Sequence, residues 1–315
     1  MIYLHYKLRL KQILLLVFFS FAFLWESFGQ SRSTKDWTDF GSSHVNKWIQ
    51  VAPGTMGPNA LPVPEMDYAL VAGSSSLETG IHAHFMKGDS AVNSFLSIRW
   101  IVVPEKVEVR FWGFPTETFR MTNEKRDERQ IYYDDTGWIT HQGDLWISTR
   151  IQVLKNHKKL PDITLNYSFK NTTGLMKHGR YSDAGTNYFY LALGKSFFPK
   201  TGILDELRIA GLGGFYLWQT NKVEMAQDEG PLVEAGLKLR KNNFSVANEI
   251  GGYFGYDVYE FIGVTGNNDP LVYRLNIEKS GKSIDWKAEF ITGLNDYHYQ
   301  TFKMGITYRF GAEDK

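Results

Sequence analysis

Two histidines separated by one residue, His82 and His84, are the most direct hint of chemistry in this sequence. Residues i and i+2 of a β-strand point to the same face, so both imidazoles would lie side by side and could hold a metal ion. Asp89 follows in the next predicted turn. A third ligand of known proximity is missing, and histidines in a solvated interior are commoner than metal sites. We therefore predict no metal and no other cofactor.

A hydrolytic site is a second candidate. His141 is followed three positions later by Asp144, and the pair Asp134 and Asp135 precedes it. A histidine, an acidic group and a serine gathered at one place can support acyl transfer. The region is polar and loop-like, where solvated acids are the default, so hydrolysis is the alternative function here rather than the expected one.

A charged run occupies the same polar region. Its residues and the tyrosines that follow are Arg126, Asp127, Glu128, Arg129, Tyr132 and Tyr133. Such a run is typical of a solvated, self-paired surface. Alternatively the loop folds inward or docks a partner, with its aromatic residues as amphipathic anchors.

The elements that must position these residues show a strict period of two. In the stretch Thr301–Phe310, apolar residues alternate with lysine, glycine, threonine and arginine, so one strand face is apolar and the other polar. About 12 such segments follow residue 76, and an even number is typical of bacterial membrane barrels. The pattern predicts an all-β fold, an antiparallel transmembrane β-barrel over residues 77–310.

Joint lengths alternate along these segments. Short joints, such as those at 104–105, 241–243 and 279–282, alternate with longer ones, such as 119–144 and 220–230. In bacterial barrels short turns face the periplasm and long loops face outward, so the alternation predicts the orientation.

The chain begins with features of an export signal. Positive residues precede an apolar run over 13–24 that is too short to span a membrane as a helix, and small residues follow. We expect residues 1–29 to be a cleaved signal peptide. Residues 30–76 are rich in proline and apolar side chains, and we expect a periplasmic or lumen-associated segment, with residues 311–315 as a C-terminal tail.

Charged residues recur on the predicted inner faces of the strands. By the alternation they are Arg99, Arg110, Arg150, Lys170, Lys238, Arg240, Arg274, Lys287, Lys303, Arg309, Glu108, Glu234, Glu249, Glu278, Asp285 and Glu289. Two interpretations stay open: a lattice of paired charges that fills the barrel, or a pore with a weak preference for anions. Glu108 and Arg110, two apart on one strand, are expected to belong to one cluster of mixed sign.

The overall charge is nearly balanced, with 35 Lys+Arg against 34 Asp+Glu, and gives no argument for nucleic acid. The chain has no cysteine, which excludes disulfides and thiolate metal sites. The expected partners are outer-membrane lipid and either a small solute or an envelope protein.

The chain as a whole resembles the uncharacterised outer-membrane β-barrel proteins of the Bacteroidetes. The motifs that carry the resemblance are Ala52-Pro53-Gly54, the run Gly57-Pro58-Asn59-Ala60-Leu61-Pro62-Val63-Pro64, the charged run 126–129 and Trp218-Gln219-Thr220-Asn221. The resemblance implies location and fold rather than activity. The tail after Phe310 departs from the common pattern.

The expected function is a non-enzymatic outer-membrane barrel, either a narrow solute channel or a structural and partner-binding component. The alternative is a lipid hydrolase acting on phospholipid or lipid A, because two outer-membrane enzyme families also use 12 strands. The phospholipase A type carries His-x-Ser-Asn, and none of the eight histidines here has serine at the second following position. The lipid A deacylase type would need an acidic side chain close to a histidine, and the acids near His141 are the candidates.

Overall fold

The computed structural model describes residues 51–129, 131, 137–182, 185–200, 202–219, 227–256 and 268–311. The predicted signal peptide, Tyr132, Tyr133, Asp134, Asp135 and all but the first residue of the tail lie outside the described residues. No helix within the described ranges is long and apolar enough to cross a membrane.

Fourteen strands and one short helix are described. The strands are β1 (Ser75–Met86), β2 (Asp89–Val103), β3 (Val107–Gly113), β4 (Glu117–Met121), β5 (Ile139–His141), β6 (Leu145–Leu154), β7 (Asp162–Asn171), β8 (Thr186–Phe197), β9 (Glu206–Gln219), β10 (Gln227–Lys241), β11 (Phe244–Tyr253), β12 (Leu271–Lys279), β13 (Ile284–Asn295) and β14 (Gln300–Phe310). The α-helix α1 spans Asn123–Glu128, and a 3₁₀ turn spans Met176–His178.

The sheet is closed. All pairings are antiparallel, and β1 pairs with both β2 and β14, so Ile81 lies opposite Met304 across the seam. The short strands β4 and β5 continue the lines of β3 and β6, because β4 pairs with the part of β2 that β3 leaves free. The barrel therefore has 12 strands, which confirms the prediction. Closure removes the unpaired edge that hydrocarbon could not satisfy.

The strands distribute their side chains in the opposite way to those of a soluble protein, with polar side chains inside the barrel and apolar side chains outside. In β7, Thr164, Asn166 and Lys170 are buried inside the barrel, whereas Leu165 and Tyr167 are exposed on its outer surface. Apolar side chains exposed in this way recur on other strands, among them Ile81, Val92, Trp100, Leu191, Ile209, Val233, Ile250, Trp286, Met304 and Tyr308. The alternation follows from side chains that point to opposite faces in turn.

Short and long connections separate onto opposite ends of the barrel. One end carries the short joints, including Asn242-Asn243, where Asn242 adopts the positive φ of 52° that tight turns favour. The other end carries the long loops together with two further tight turns, 87–88 and 296–299. We call these the short-turn end and the long-loop end.

Two predicted loops contain regular structure. The predicted loop 119–144 holds part of β4 and all of α1 and β5, and the predicted loop 220–230 includes the first residues of β10. The predicted loop boundaries were wrong because the paired strands continue beyond the band of outward apolar side chains, which we call the apolar belt. Above the belt, outward side chains are no longer selected for hydrophobicity, and the alternation that marks a strand disappears.

Residues 51–74, which we call the lumen segment, lie inside the barrel. Val51, Met56 and Leu61 of this segment are buried in one cluster with wall residues such as Trp146 and Tyr216. The segment begins near the long loops, where the Gly57 N–H donates to the Gly179 carbonyl at 2.8 Å, and it enters β1 at the short-turn end. It therefore runs the length of the lumen.

The outward register can be tested at Met304, whose side chain is 72% exposed midway along β14. A charge there would face hydrocarbon, so Met304→Arg should lower the free energy of unfolding by about 2–4 kcal/mol. Ile203→Arg, at an exposed turn position of the short-turn end, is the matched control and should cost about 0–1 kcal/mol. The measurement is the denaturant midpoint in lipid vesicles, and equal shifts for both variants would contradict the outward register.

Candidate functional site

Barrel side chains bind the main chain of the lumen segment. Arg274 donates to the carbonyls of Val63 and Pro64, both at 3.1 Å. The other donors to segment carbonyls are Lys170 Nζ to Ala60, Tyr253 Oη to Leu61, Arg208 Nε to Tyr68 and Gln152 Nε2 to Ala69. These donors come from β6, β7, β9, β11 and β12, so the wall holds the segment along most of its length.

The composition of the segment explains why its carbonyls are free to be bound. Pro58, Pro62 and Pro64 have no N–H and cannot join a β-ladder, so this part of the chain stays outside the sheet. Each carbonyl then needs a donor because it is buried. The cationic wall supplies that donor. Proline, which argued against a strand in the sequence, also leaves a backbone rich in acceptors.

Two carboxylates of the segment add ion pairs with the wall. Asp67 lies 2.7 Å from Arg150 and also accepts from the Tyr190 hydroxyl at 3.2 Å. Glu65 lies 3.0 Å from Lys303. Both acids engage cations that the sequence placed on inner faces, so the segment neutralises part of the positive wall.

The predicted lumen residues all point inward, and most of the charged ones are paired. Glu108 contacts Arg150 at 2.9 Å and Arg99 at 3.5 Å, whereas Arg110 contacts Glu78 at 3.4 Å. The remaining pairs are Lys170–Asp144, Lys238–Glu278, Arg240–Glu206, Arg274 with Glu234, Glu249 and Glu289, Lys287–Glu78, Lys303–Glu289 and Arg309–Asp285. The lumen of this structure is a paired lattice.

Glu108 and Arg110 line one cavity together with Arg99, Arg150 and Glu78, but they do not pair with each other, since each binds other residues. Residues two apart on a strand are separated by nearly 7 Å, whereas neighbours across two strands are about 5 Å apart. Inward charged side chains therefore pair across neighbouring strands rather than along one strand. The alternation gives the face of each side chain, but it does not give its partner.

A buried polar cluster closes the long-loop end, and we call it the loop-end network. Arg180 donates to Glu117 at 2.6 Å and to Asp89 at 2.5 Å, and Arg129 donates to Asp89 at 2.7 Å and to the Tyr299 hydroxyl at 2.8 Å. Its remaining members, Tyr181 and Asn59, both donate to Glu117. Loop residues, strand residues and the lumen segment thus meet in one network.

Electrostatics hold the network in one charge state. Burial opposes the charge on Arg180, but the carboxylates of Glu117 and Asp89 raise the pKa of its guanidinium well above the ordinary value. Burial and Glu117 also raise the pKa of the Tyr181 hydroxyl well above its usual value, so this group remains a donor. Arg180 can point inward because Gly179 precedes it with a φ of 62°.

The charged run 126–129 divides between solvent and interior. Asp127 and Glu128 are exposed, Arg126 is half-buried, and Glu128 pairs with Lys125 within α1. Arg129 instead turns inward and is 6% exposed. Asp127 and Glu128 are therefore solvated and Arg129 is buried, whereas the tyrosines of the second interpretation, Tyr132 and Tyr133, lie outside the described residues.

The two predicted histidines lie inside the barrel without a metal-ligand set around them. His84 contacts Thr301 at 2.8 Å and Asn93 at 2.7 Å, and the His82 ring stacks on Phe95 with centroids 4.9 Å apart. Asp89 belongs to the loop-end network. Within the described ranges, no group of three or more His, Cys, Asp or Glu side chains is placed to hold a metal ion.

His141 and Asp144 do not form a hydrolytic pair in this structure. The His141 ring contacts the carbonyl of Gln142 at 3.0 Å, whereas Asp144 pairs with Lys170 at 3.0 Å and accepts from the Gly174 N–H. Both are thus engaged with structural partners.

Open space in the lumen is concentrated at the short-turn end. A cavity of about 500 Å³ there is lined by Leu70, Val71, Arg99, Arg240 and Arg309 among others. A smaller cavity of about 80 Å³ lies deeper, beside Glu65 and Tyr188. Residues of the lumen segment line both cavities.

A band of aromatic rings on the inner wall was missed by the sequence reasoning. It comprises Trp112, Trp146, Tyr188, Tyr190, Tyr216, Trp218 and Tyr253. The signal was present, because Tyr188 and Tyr190, and likewise Tyr216 and Trp218, occur two apart on what is the inner face. Charge alone marks the lumen positions in the sequence analysis, so these aromatic positions were not identified.

Comparisons with known proteins agree on the fold. No protein-family model and no curated protein matches the chain. An outer-membrane channel from Pseudomonas putida F1 is similar in structure, with 11% identity, a TM-score of 0.56, and coverage of 79% of this chain and 100% of that one. The NanC porin has 9% identity and a TM-score of 0.47 over 74% of this chain and 100% of its own. The likeness to the Pseudomonas putida channel shows an outer-membrane β-barrel fold.

The loop-end network predicts a large effect of Arg180→Ala. Asp89 and Glu117 would remain buried after losing a shared cation, so the free energy of unfolding should fall by about 3–5 kcal/mol. The exposed Lys159→Ala is the control and should change it by no more than about 0.5 kcal/mol. Urea midpoints of the folded barrels provide the measurement, and an unchanged midpoint for Arg180→Ala would show that the network does not stabilise the barrel.

Proposed function

We propose that this protein is an outer-membrane channel for small solutes that is closed by its own lumen segment. The observation that carries the proposal is that wall side chains from five strands donate hydrogen bonds to the main-chain carbonyls of the segment. A barrel needing only a filled interior can use packed side chains of its own wall. Here the filling is a separate stretch of chain that crosses no strand pairing, and it can leave without breaking the barrel ladder.

The nature of the contacts supports a segment that can be released. The polar contacts are hydrogen bonds and ion pairs between the segment and groups that face a lumen, and water can replace each of them, whereas the apolar contacts of Met56 and Leu61 with the wall are lost on release. Arg150, Arg274 and Lys303 would then line an aqueous path as solvated cations. Groups that face lipid have no water to replace a lost hydrogen bond.

Charge supports a preference for anions in the open state. In the closed structure, Glu65 and Asp67 neutralise Lys303 and Arg150. Withdrawal of the segment would remove both carboxylates and leave the wall more positive, and rings of positive side chains favour anions in a pore. By the usual orientation of bacterial barrels, the 500 Å³ cavity would open to the periplasm and the loop-end network would lie outside.

The channel proposal predicts that charge reversal in the segment opens the pore. In Glu65→Lys/Asp67→Lys, lysines would face Lys303 and Arg150 directly, so repulsion should expel the segment while the wall sequence is unchanged. In planar bilayers, the wild type should pass little current. The variant should give steady conductance, with its reversal potential shifted toward that of the anion.

The matched control is Glu124→Lys/Asp127→Lys in the exposed helix α1, which makes the same change in net charge and should behave as the wild type. Heat-modifiable migration on an unboiled gel verifies that each variant is folded. A folded Glu65→Lys/Asp67→Lys barrel that passes no more current than the control would favour a structural or partner-binding barrel instead.

A further inference from the structure

The aromatic band forms a continuous surface across the inner wall. Trp112 stacks on Trp146 with centroids 5.0 Å apart and ring planes 5° from parallel, and Trp146 contacts Tyr188 at 5.6 Å. From Tyr188 the contacts continue to Tyr216 at 5.6 Å, and from there to Tyr253 at 3.9 Å. The rings come from β3, β6, β8, β9 and β11, so the band extends around the barrel rather than along one strand.

In the closed structure the lumen segment covers this band. Apolar residues of the segment, including Met56, Ala60 and Leu61, share a buried cluster with the rings. The polar edges of the band are also engaged, because the Tyr253 hydroxyl donates to the Leu61 carbonyl at 2.7 Å and the Tyr190 hydroxyl donates to Asp67. The segment therefore presents apolar groups to the rings and oxygen acceptors to their hydroxyl groups.

Three donors of the band are left without an acceptor. The indole N–H groups of Trp146 and Trp218 and the hydroxyl of Tyr216 have no hydrogen-bond partner among the described residues, and the two indole side chains are 0% and 1% exposed. Buried donors are normally paired, so a core built only for packing would use phenylalanine or leucine at these positions. These unpaired donors indicate that the band is built for more acceptors than the segment supplies.

Ring faces edged by donors match the chemistry of a sugar. A pyranose ring has apolar C–H faces and a rim of hydroxyl oxygens, so it can lie on aromatic rings while its rim accepts from Tyr O–H and Trp N–H groups. Ligand sites generally combine such an aromatic surface with a few polar groups that fix orientation. A flat aromatic solute would stack as well, but it lacks the row of oxygens that the donors require.

We propose that the aromatic band is the binding surface for an oligosaccharide of pyranose rings when the channel is open. The proposal rests on the channel function, since the lumen segment covers the band in the closed state. In this view the segment occupies the place of the sugar, with its apolar side chains against the rings and the Leu61 carbonyl and Asp67 at the hydroxyl groups.

The test adds maltohexaose to single channels of full-length Glu65→Lys/Asp67→Lys. Binding on the band should interrupt the current in discrete events, and a polyethylene glycol of similar size should lower the current without such events. Adding Trp218→Leu should shorten the interruptions about tenfold, since a stacking face and a donor are lost together. Trp218→Phe, which keeps a ring and loses the N–H, should have an intermediate effect. The outward-facing Trp286→Leu should leave them unchanged.

The failures of the two proposals can be distinguished. Steady current without interruptions would overturn sugar binding and leave the channel intact. If the folded variant passes no current, the channel proposal fails, and sugar binding on the covered band fails with it.

Discussion

The contacts of Arg274 join the two parts of this structure, the barrel wall and the chain inside it. Its guanidinium lies 3.1 Å from Glu249 and 3.7 Å from Glu289, on the strands to either side of its own, and it donates to two carbonyls of the lumen segment. Burial of a cation is costly unless its donors are paired. The wall acids do not pair all of the donors of Arg274, and two carbonyls of the segment pair further ones.

The same constraint explains the composition of the interior. A narrow barrel has little room for water, so every inward charge needs a partner, and side chains of both signs alternate around the wall. A segment that enters such an interior must itself be rich in acceptors and poor in donors. The prolines of residues 58–64 provide this, because they remove N–H groups and leave carbonyls for the cations. The wall and the segment are therefore chemically complementary.

The sequence predicts the barrel well because its main rule is geometric. A period of two assigns each strand residue to one face, and the inward side of Arg110, Glu234 and Lys303 followed from that rule alone. Partners could not be predicted this way, as the separate pairs of Glu108 and Arg110 show. The loop-end network could not be found either. Arg180 lies in an aperiodic loop, and it meets Asp89, 91 positions earlier, only after the barrel has closed.

The path of the lumen segment constrains how the channel that we propose would open. Its last residues continue directly into β1 at the short-turn end, so that end is tethered to the wall. Release must therefore begin at the long-loop end, where Gly57 is bound to Gly179 and Asn59 belongs to the network around Glu117.

Once that end is free, the remaining contacts involve separate wall side chains and can break one after another. The polar contacts among them are hydrogen bonds and ion pairs with a net value of about 1–3 kcal/mol each, and water entering the lumen replaces them, whereas the apolar contacts of Leu61 and Val63 with the wall are lost on release. The loop-end network, which binds Asn59 through Glu117 and supports Gly179 through its neighbour Arg180, is thus the contact that sets whether the segment stays.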